Sequence, residues 1–217
     1  MESRGPYQKS FRDPRFRKSV AMGIFSLLLA GCAAALAQQY VRQAPGNPVG
    51  DLFLDNLPNS PWPILLFDFL ILGSVFVACS ILFVTLAKPA YLPFTLKTIA
   101  LLYFVRTFFV SLTHLKVSPD KIMLDRWGAL AKFIYGGNDL FFSGHVALPF
   151  IAALIFWKMK FARYYFLSAA ALFAIATLFA RSHYSIDVFV VPFVGYGIFA
   201  IAQKFFQKDY LTARLNT

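Results

Sequence analysis

Long apolar runs alternate along this chain with short polar or proline-rich stretches, a pattern that predicts helices crossing a bilayer. A helix needs about 20 mostly apolar residues to cross a hydrocarbon core ~30 Å thick. Runs of that kind fall at about residues 20–37, 62–87, 95–115, 141–157, 164–180 and 188–203. Within each run the apolar residues are continuous, with no period-two alternation, which argues against a β-barrel. The expected fold is all-α: a bundle of six transmembrane helices over residues 19–210, with a basic tail (1–18) before it and a short C-terminal tail (211–217) after it.

The connections carry their own signals. Residues 39–61 hold Pro45, Gly46, Pro48, Gly50, Pro58 and Pro61 and read as a turn-rich loop. Within it, Asp51 to Pro58 reads as a short interfacial helix or turn. Trp62 and Lys88 bracket the second run as interface anchors. Residues 88–93 form a tight turn, and residues 116–138 a second loop of mixed charge. The first run has a competing reading, because a basic leader, an apolar stretch and Ala35-Leu36-Ala37 resemble a cleaved signal peptide. Leu29-Ala30-Gly31-Cys32 likewise resembles a lipoprotein processing site. The run is long for a signal segment, so a retained helix is expected, and residue 39 lies outside the cytoplasm either way.

Composition supports the membrane reading: 59% of residues are hydrophobic and 14% charged, where soluble domains carry about 25% charged residues. A net charge of +11 would suggest a nucleic-acid partner in a soluble chain, but its distribution gives another account. Of 21 Lys and Arg, 14 lie in the N-terminal tail, the 88–97 turn, the 158–163 turn and the C-terminus. Only five (Arg42, Lys116, Lys121, Arg126, Lys132) lie in the opposite loops. The positive-inside rule therefore places both termini in the cytoplasm, and no nucleic-acid partner is expected. Cys32 and Cys79 sit far apart inside predicted spans, neither a disulfide framework nor a metal spacing. Cys79 reads as a small apolar packer.

Polar chemistry concentrates at two span boundaries, both on the non-cytoplasmic side of this topology. One is Gly136-Gly137-Asn138-Asp139-Leu140-Phe141-Phe142-Ser143-Gly144-His145; the other is Arg181-Ser182-His183-Tyr184-Ser185-Ile186-Asp187. His183 and Asp187 stand at i, i+4, close enough on a helix to hydrogen-bond. A carboxylate on one imidazole nitrogen fixes the tautomer and leaves the other nitrogen as nucleophile or base. The plainer alternative is a helix-start histidine with Asp187 as a nearby cap or ion pair. If a helix starts near Ser143, its first N–H groups face the site and suit a phosphate, and Gly144 lets an anion approach the backbone. If it starts near Leu140, Asp139 is an N-cap; otherwise Asp139 is a charge tuning the site. Arg106, inside the third run, costs ~3 kcal/mol on insertion scales and is expected to face an interior cavity or a partner such as Asp68. It could also hold phosphate oxygens bidentately, with Thr113 two turns on along the same face. Tyr103, Tyr135 and Tyr184 read as interface aromatics, and His114 as interfacial. No His-Glu-x-x-His or cysteine-rich spacing supports a metal.

These residues carry a resemblance. Ser143-Gly144-His145 followed by His183-x-x-x-Asp187 resembles the type-2 phosphatidic acid phosphatase superfamily. More specifically, Asp139-x-Phe141-Phe142-Ser143-Gly144-His145 resembles the Gly-Asp-x-Leu-Phe-Ser-Gly-His stretch of sphingomyelin synthases, and His183-Tyr184-Ser185-Ile186-Asp187-Val188 resembles their His-Tyr-Thr-x-Asp-Val. Tyr103-x-x-Arg106 with Thr113-x-Leu115 is similar to their third-span pattern. The likeness covers about residues 95–195, with an echo at Asp51–Pro58. The phosphatases' Lys-x6-Arg-Pro is absent, since Ile99 and Thr107 stand at those positions, and Thr177 stands where they have an arginine six residues before the second histidine. Fewer cations suit a phosphodiester, with one negative charge, better than a phosphomonoester dianion.

The resemblance implies an interfacial active site with His145, His183 and Asp187 catalytic and Arg106, Asp139, Ser143, Gly144 and Arg181 binding substrate. It implies headgroup transfer from a membrane phospholipid to a lipid alcohol such as ceramide, or to water, without metal or cofactor. Hydrolysis of a lipid phosphate or diphosphate at the same residues is the alternative, and a transporter whose Asp68 and Arg106 line a pathway is a third. A homo-oligomer is compatible with all three.

Overall fold

The computed structural model describes residues 10–116 and 140–215; Asp139, Tyr135, Lys121, Arg126 and Lys132 lie outside the described residues. The described chain is helical. In order it forms α1 (Pro14–Gln43), α2 (Leu52–Asn56), α3 (Pro63–Ala87), a single 3₁₀ turn (Pro89–Tyr91), α4 (Leu92–Leu112), α5 (Gly144–Ile155), α6 (Lys160–Phe179), α7 (Ser185–Phe189), α8 (Val191–Phe205) and α9 (Gln207–Leu215). Proline opens α3, α4 and α8 in the first turn, where its missing N–H costs nothing. Asp13 caps α1 by accepting the N–H of Arg15, so the basic tail from Pro14 onward is already helix.

Among the described residues five helical segments are long and apolar enough to cross a membrane: Pro14–Gln43, Ile64–Ala87, Pro89–Leu112, Lys160–Phe179 and Ser185–Phe205. The run expected as a span at 141–157 is instead α5, only 12 residues, or ~18 Å at 1.5 Å per residue. It does not need bilayer length because the other helices surround it: α5 packs against α3, α4, α6 and α8. Val146, Ala147, Pro149, Ile151, Ala152, Ala153 and Ile155 are all buried. A helix apolar on every side belongs inside a bundle.

α1 lies along α4, presenting Val20, Gly23, Ala30, Ala37 and Val41 as its buried face. Small residues on such a face let helix backbones approach closely in a membrane. The approach at Gly23 is so tight that a Cβ there would stand 2.8 Å from Leu96 Cβ. The two helices run parallel, with Gly23 beside Leu96 at one end and the Tyr40 and His114 rings 5.3 Å apart at the other. At the first of these ends Lys97 Nζ donates to Asp209 Oδ2 (2.6 Å) and Ser19 Oγ (2.7 Å), and Ser19 Oγ donates to Asp209 Oδ1 (2.7 Å). This cluster fastens α1, α4 and α9 together. Cys79, expected to pack inside, is exposed on the outer face of α3.

Candidate active site

The stretch Leu140–Ser143 reaches α5 without being helical. Buried non-helical backbone needs partners for its polar groups, and three of them are supplied here. Thr113 Oγ1 donates to the Leu140 carbonyl (3.2 Å), Arg106 Nε donates to the Phe142 carbonyl (3.3 Å), and the Ser143 N–H donates to the Asp187 carbonyl (2.8 Å). Arg106 on α4 and Thr113, the extended residue just past its end, thus grip one segment. Phe141 (φ 150°) and Phe142 (φ 28°) both have positive φ, a conformation costing roughly 1–3 kcal/mol per residue and kept only where packing over-determines it. Phe142 is fully buried, and Phe141 stacks on Phe109 at 4.9 Å.

This segment delivers Ser143, Gly144 and His145 to the start of α5. Ser143 is the N-cap and is fully buried, and its Oγ has no hydrogen-bond partner among the described residues. Gly144 lies under Arg106: a Cβ there would stand 3.3 Å from the guanidinium Nε. Arg106 itself is 9% exposed. A buried arginine, a glycine and an unpartnered hydroxyl at one helix start are suited to an anion.

The second histidine arrives by a different route. α6 ends in a Schellman-type turn: the Arg181 N–H donates to the Leu178 carbonyl (3.0 Å) and the Ser182 N–H to the Thr177 carbonyl (3.1 Å). Arg181 occupies the left-handed position (φ 50°), usually given to glycine because other residues pay roughly 1–2 kcal/mol there. The turn swings the chain back so that His183 precedes α7. His183 Nδ1 lies 3.2 Å from Asp187 Oδ2, and the same oxygen accepts the Tyr184 N–H at 3.2 Å. His183 and Asp187 are both buried. With Asp187 on Nδ1, the Nε2 nitrogen is the one left for chemistry.

The two imidazoles meet. The His145 and His183 ring centroids are 6.2 Å apart, with the planes inclined at 68°, although one residue lies on α5 and the other in the turn before α7. Arg181, Ser182, His183 and Tyr184 meet Leu140 around a small, closed recess. His145, His183, Asp187, Ser143, Gly144, Arg106 and Arg181 therefore gather at one end of the bundle; Asp139 lies outside the described residues.

Over this end lies the loop between α1 and α3, which hydropathy did not connect to the site. Asp51 Oδ1 caps α2 by accepting the N–H groups of Phe53 (2.9 Å) and Leu54 (3.0 Å), while its Oδ2 accepts the Ser185 N–H at 2.6 Å. Burial works to raise the Asp51 pKa, but the donors at Leu54, Ser185 and Phe53 outweigh it and hold the carboxyl below its ordinary value. Arg181 Nη2 donates to the Leu57 carbonyl (2.9 Å). The Tyr184 hydroxyl accepts the Val49 N–H (3.1 Å) and donates to the Lys116 carbonyl (2.8 Å). Tyr184 is thus a buried tie between loops, not the interface aromatic its position suggested. The sequence signs of this segment were the short interfacial helix or turn read over Asp51 to Pro58 and the echo of the resemblance there; neither pointed to a bond with Ser185. Among the described residues no three His, Cys, Asp or Glu side chains cluster as metal ligands would.

Residues 136–204, which take in both histidine segments, match the family model for the PAP2 superfamily C-terminal region. None of the curated proteins matches the chain. The match supports a relation to the type-2 phosphatidic acid phosphatase superfamily, whose members are lipid phosphatases and phosphotransferases, and with the apolar helices it supports a membrane enzyme of that broad kind.

Proposed function

We propose that the protein transfers the phosphate-bearing headgroup of a membrane phospholipid to a lipid alcohol, in the manner of a sphingomyelin synthase, at the non-cytoplasmic face. The observation that carries this reading is the 6.2 Å separation of the His145 and His183 rings, with Asp187 on the Nδ1 side of His183. An attacking nitrogen stands about 3–3.5 Å from its target atom, and a proton donor about 3 Å from the leaving oxygen. Two rings so spaced can both reach one phosphorus centre and its leaving oxygen.

In the first step His183 Nε2 forms a bond to phosphorus as the bond to the diacylglycerol oxygen breaks, and His145 gives that oxygen its proton. Asp187 orients His183 through Nδ1–H and stabilises the charge that develops on the ring. In the second step the neutral His145 takes the proton of the acceptor hydroxyl, whose oxygen attacks phosphorus and releases His183. Arg106 and the N–H groups at the start of α5 neutralise the phosphate oxygens in both transition states. The site lies beside apolar helices, so both lipids reach it sideways from the leaflet. The excess of Lys and Arg at the opposite end of the bundle supports the orientation.

A second reading, hydrolysis of a lipid phosphate monoester, draws on one further feature: Arg181 stands at the same small recess as His183 while Arg106 flanks Gly144, two cations for a dianion. The test is to incubate the purified protein with headgroup-labelled phosphatidylcholine, with and without ceramide, and separately with labelled phosphatidic acid. Label on ceramide is expected. Free phosphate from phosphatidic acid alone would favour the phosphatase, and turnover of neither substrate would overturn both readings.

A further inference from the structure

We infer that Asp51, distant in sequence from both histidine motifs, is a positioning residue for the His183–Asp187 pair; this rests on the reading just given. α7 has only five residues, too few to hold itself together in isolation, yet it carries Asp187 and fixes His183 at its entrance. Three hydrogen bonds to the ends and side chain of that short element stabilise it. Two are local to the site: the Tyr184 N–H on Asp187 Oδ2 and the Ser143 N–H on the Asp187 carbonyl. The third comes from across the protein, where Asp51 Oδ2 accepts the N–H of Ser185, the first residue of α7, at 2.6 Å. It is the shortest of the three, and its acceptor is a carboxylate that is 9% exposed. Charge-assisted hydrogen bonds are roughly twice as strong as neutral ones, and a negative charge at a helix start is favourable.

The rest of the geometry shows why an aspartate suits this place. One carboxylate oxygen is committed to α2, through Phe53 and Leu54, and the other to α7, through Ser185. The side chain therefore couples the fold of the covering loop to the register of the histidine helix. The Phe53 and Phe189 rings, 5.3 Å apart, join the same two elements on the apolar side.

Two substitutions isolate the contact. Asp51→Asn keeps an N-cap residue for α2 but presents an NH₂ where Ser185 needs an acceptor. Ser185→Pro removes the donor instead. Proline is accepted at the first position of a helix, and Tyr184 before it (φ −69°, ψ 157°) already has the conformation a following proline requires. Ser185→Ala keeps the N–H and loses only the hydroxyl, which also hydrogen-bonds Asp51, so it separates the backbone bond from the side-chain one. With phosphatidylcholine and ceramide, kcat should fall about 10- to 100-fold in Asp51→Asn and in Ser185→Pro, as small displacements of a catalytic group do. KM should stay within about twofold, the double variant should be little worse than either single one, and Ser185→Ala, which keeps the backbone bond, should lose far less than Ser185→Pro.

Nuclear magnetic resonance of ring-labelled histidine gives a readout independent of turnover. The His183 signals should move in Asp51→Asn and Ser185→Pro while the His114 signals stay. Unmoved His183 signals, or fully additive losses in the double variant, would overturn the inference. If the wild type turned over no lipid but the His183 signals still moved, the positioning role would stand and the proposed reaction would fall.

Discussion

Gly144 sits directly beneath Arg106, with room for a hydrogen atom and too little for a methyl group unless Arg106 gives way. A Cβ built there stands 3.3 Å from Nε and 3.6 Å from Cζ of the guanidinium. Gly144 is the first residue of α5 and has no positive φ, so alanine would suit the backbone and slightly favour the helix. The cost falls on Arg106 alone, which must shift by a few tenths of an ångström. Gly144→Ala should keep its melting temperature and lose about tenfold or more in turnover. Unchanged turnover would show that Arg106 does not hold the reacting phosphate.

The division of labour between the histidines can be separated by the leaving group. A donor whose leaving group needs no proton, such as a nitrophenyl ester of phosphocholine, should not need His145 for the first step but still need it for the second. In His145→Ala the headgroup phosphate should therefore stay on the protein, as an acid-labile, alkali-stable adduct absent from His145→Ala/His183→Ala. If His145→Ala carries no adduct with this donor, the assignment of His183 as nucleophile fails.

Much of this site was legible in the sequence because its residues are spaced by local geometry. His183 and Asp187 meet as an i, i+4 pair should, whereas Arg106 and Thr113 hold the same segment without sharing a helix face, because α4 ends at Leu112 and Thr113 is extended. The length of α5 was not legible. Leu140, Phe141 and Phe142 are as apolar as any helical residues, so hydropathy runs through them, while their backbone is bent by contacts from α4 and α7. The outward position of Cys79 was hidden for a related reason: lipid is as apolar as a protein interior, so a membrane helix need not mark its inner face. The bonds of Asp51 and Tyr184 span 134 and 135 residues, and no periodic pattern encodes contacts of that range.

Asp51 should also leave a signature in acid stability. Its folded pKa is depressed below the ordinary 3.8, so its stabilising contribution is present above that value and lost as pH falls through the folded pKa. The difference in melting temperature between wild type and Asp51→Asn should be constant from neutrality down to about pH 5 and close progressively below about pH 4. A difference that persists undiminished in acid would mean that the carboxylate charge is not what stabilises the contact.

The orientation rests on charge and can be tested directly. In a Cys32→Ala/Cys79→Ala background, Asn59→Cys and Lys158→Cys place exposed thiols at opposite ends of the bundle. A membrane-impermeant maleimide applied to intact cells or spheroplasts should label Asn59→Cys at once and Lys158→Cys only after permeabilisation. The reverse pattern would put the histidines on the cytoplasmic side.

The Lys97–Asp209–Ser19 cluster at the far end offers a contrast, because its work is to hold helices together. The side chains of Lys97 and Asp209 are 11% and 18% exposed. Removing one member of so buried a pair strands the other charge, typically at a cost of about 3–5 kcal/mol. Asp209→Asn should thus lower the unfolding midpoint markedly, while Lys97→Met/Asp209→Leu should recover most of the loss, since a well-packed apolar pair often matches a buried ion pair. Turnover per folded molecule should not change in either variant, because α4 separates the cluster from Arg106 by nine residues, ~13 Å along the helix axis. Unfolding in detergent together with single-turnover assays would check both halves. A double variant as unstable as Asp209→Asn would show that Ser19 and the two charges provide a specific geometry that apolar packing cannot replace.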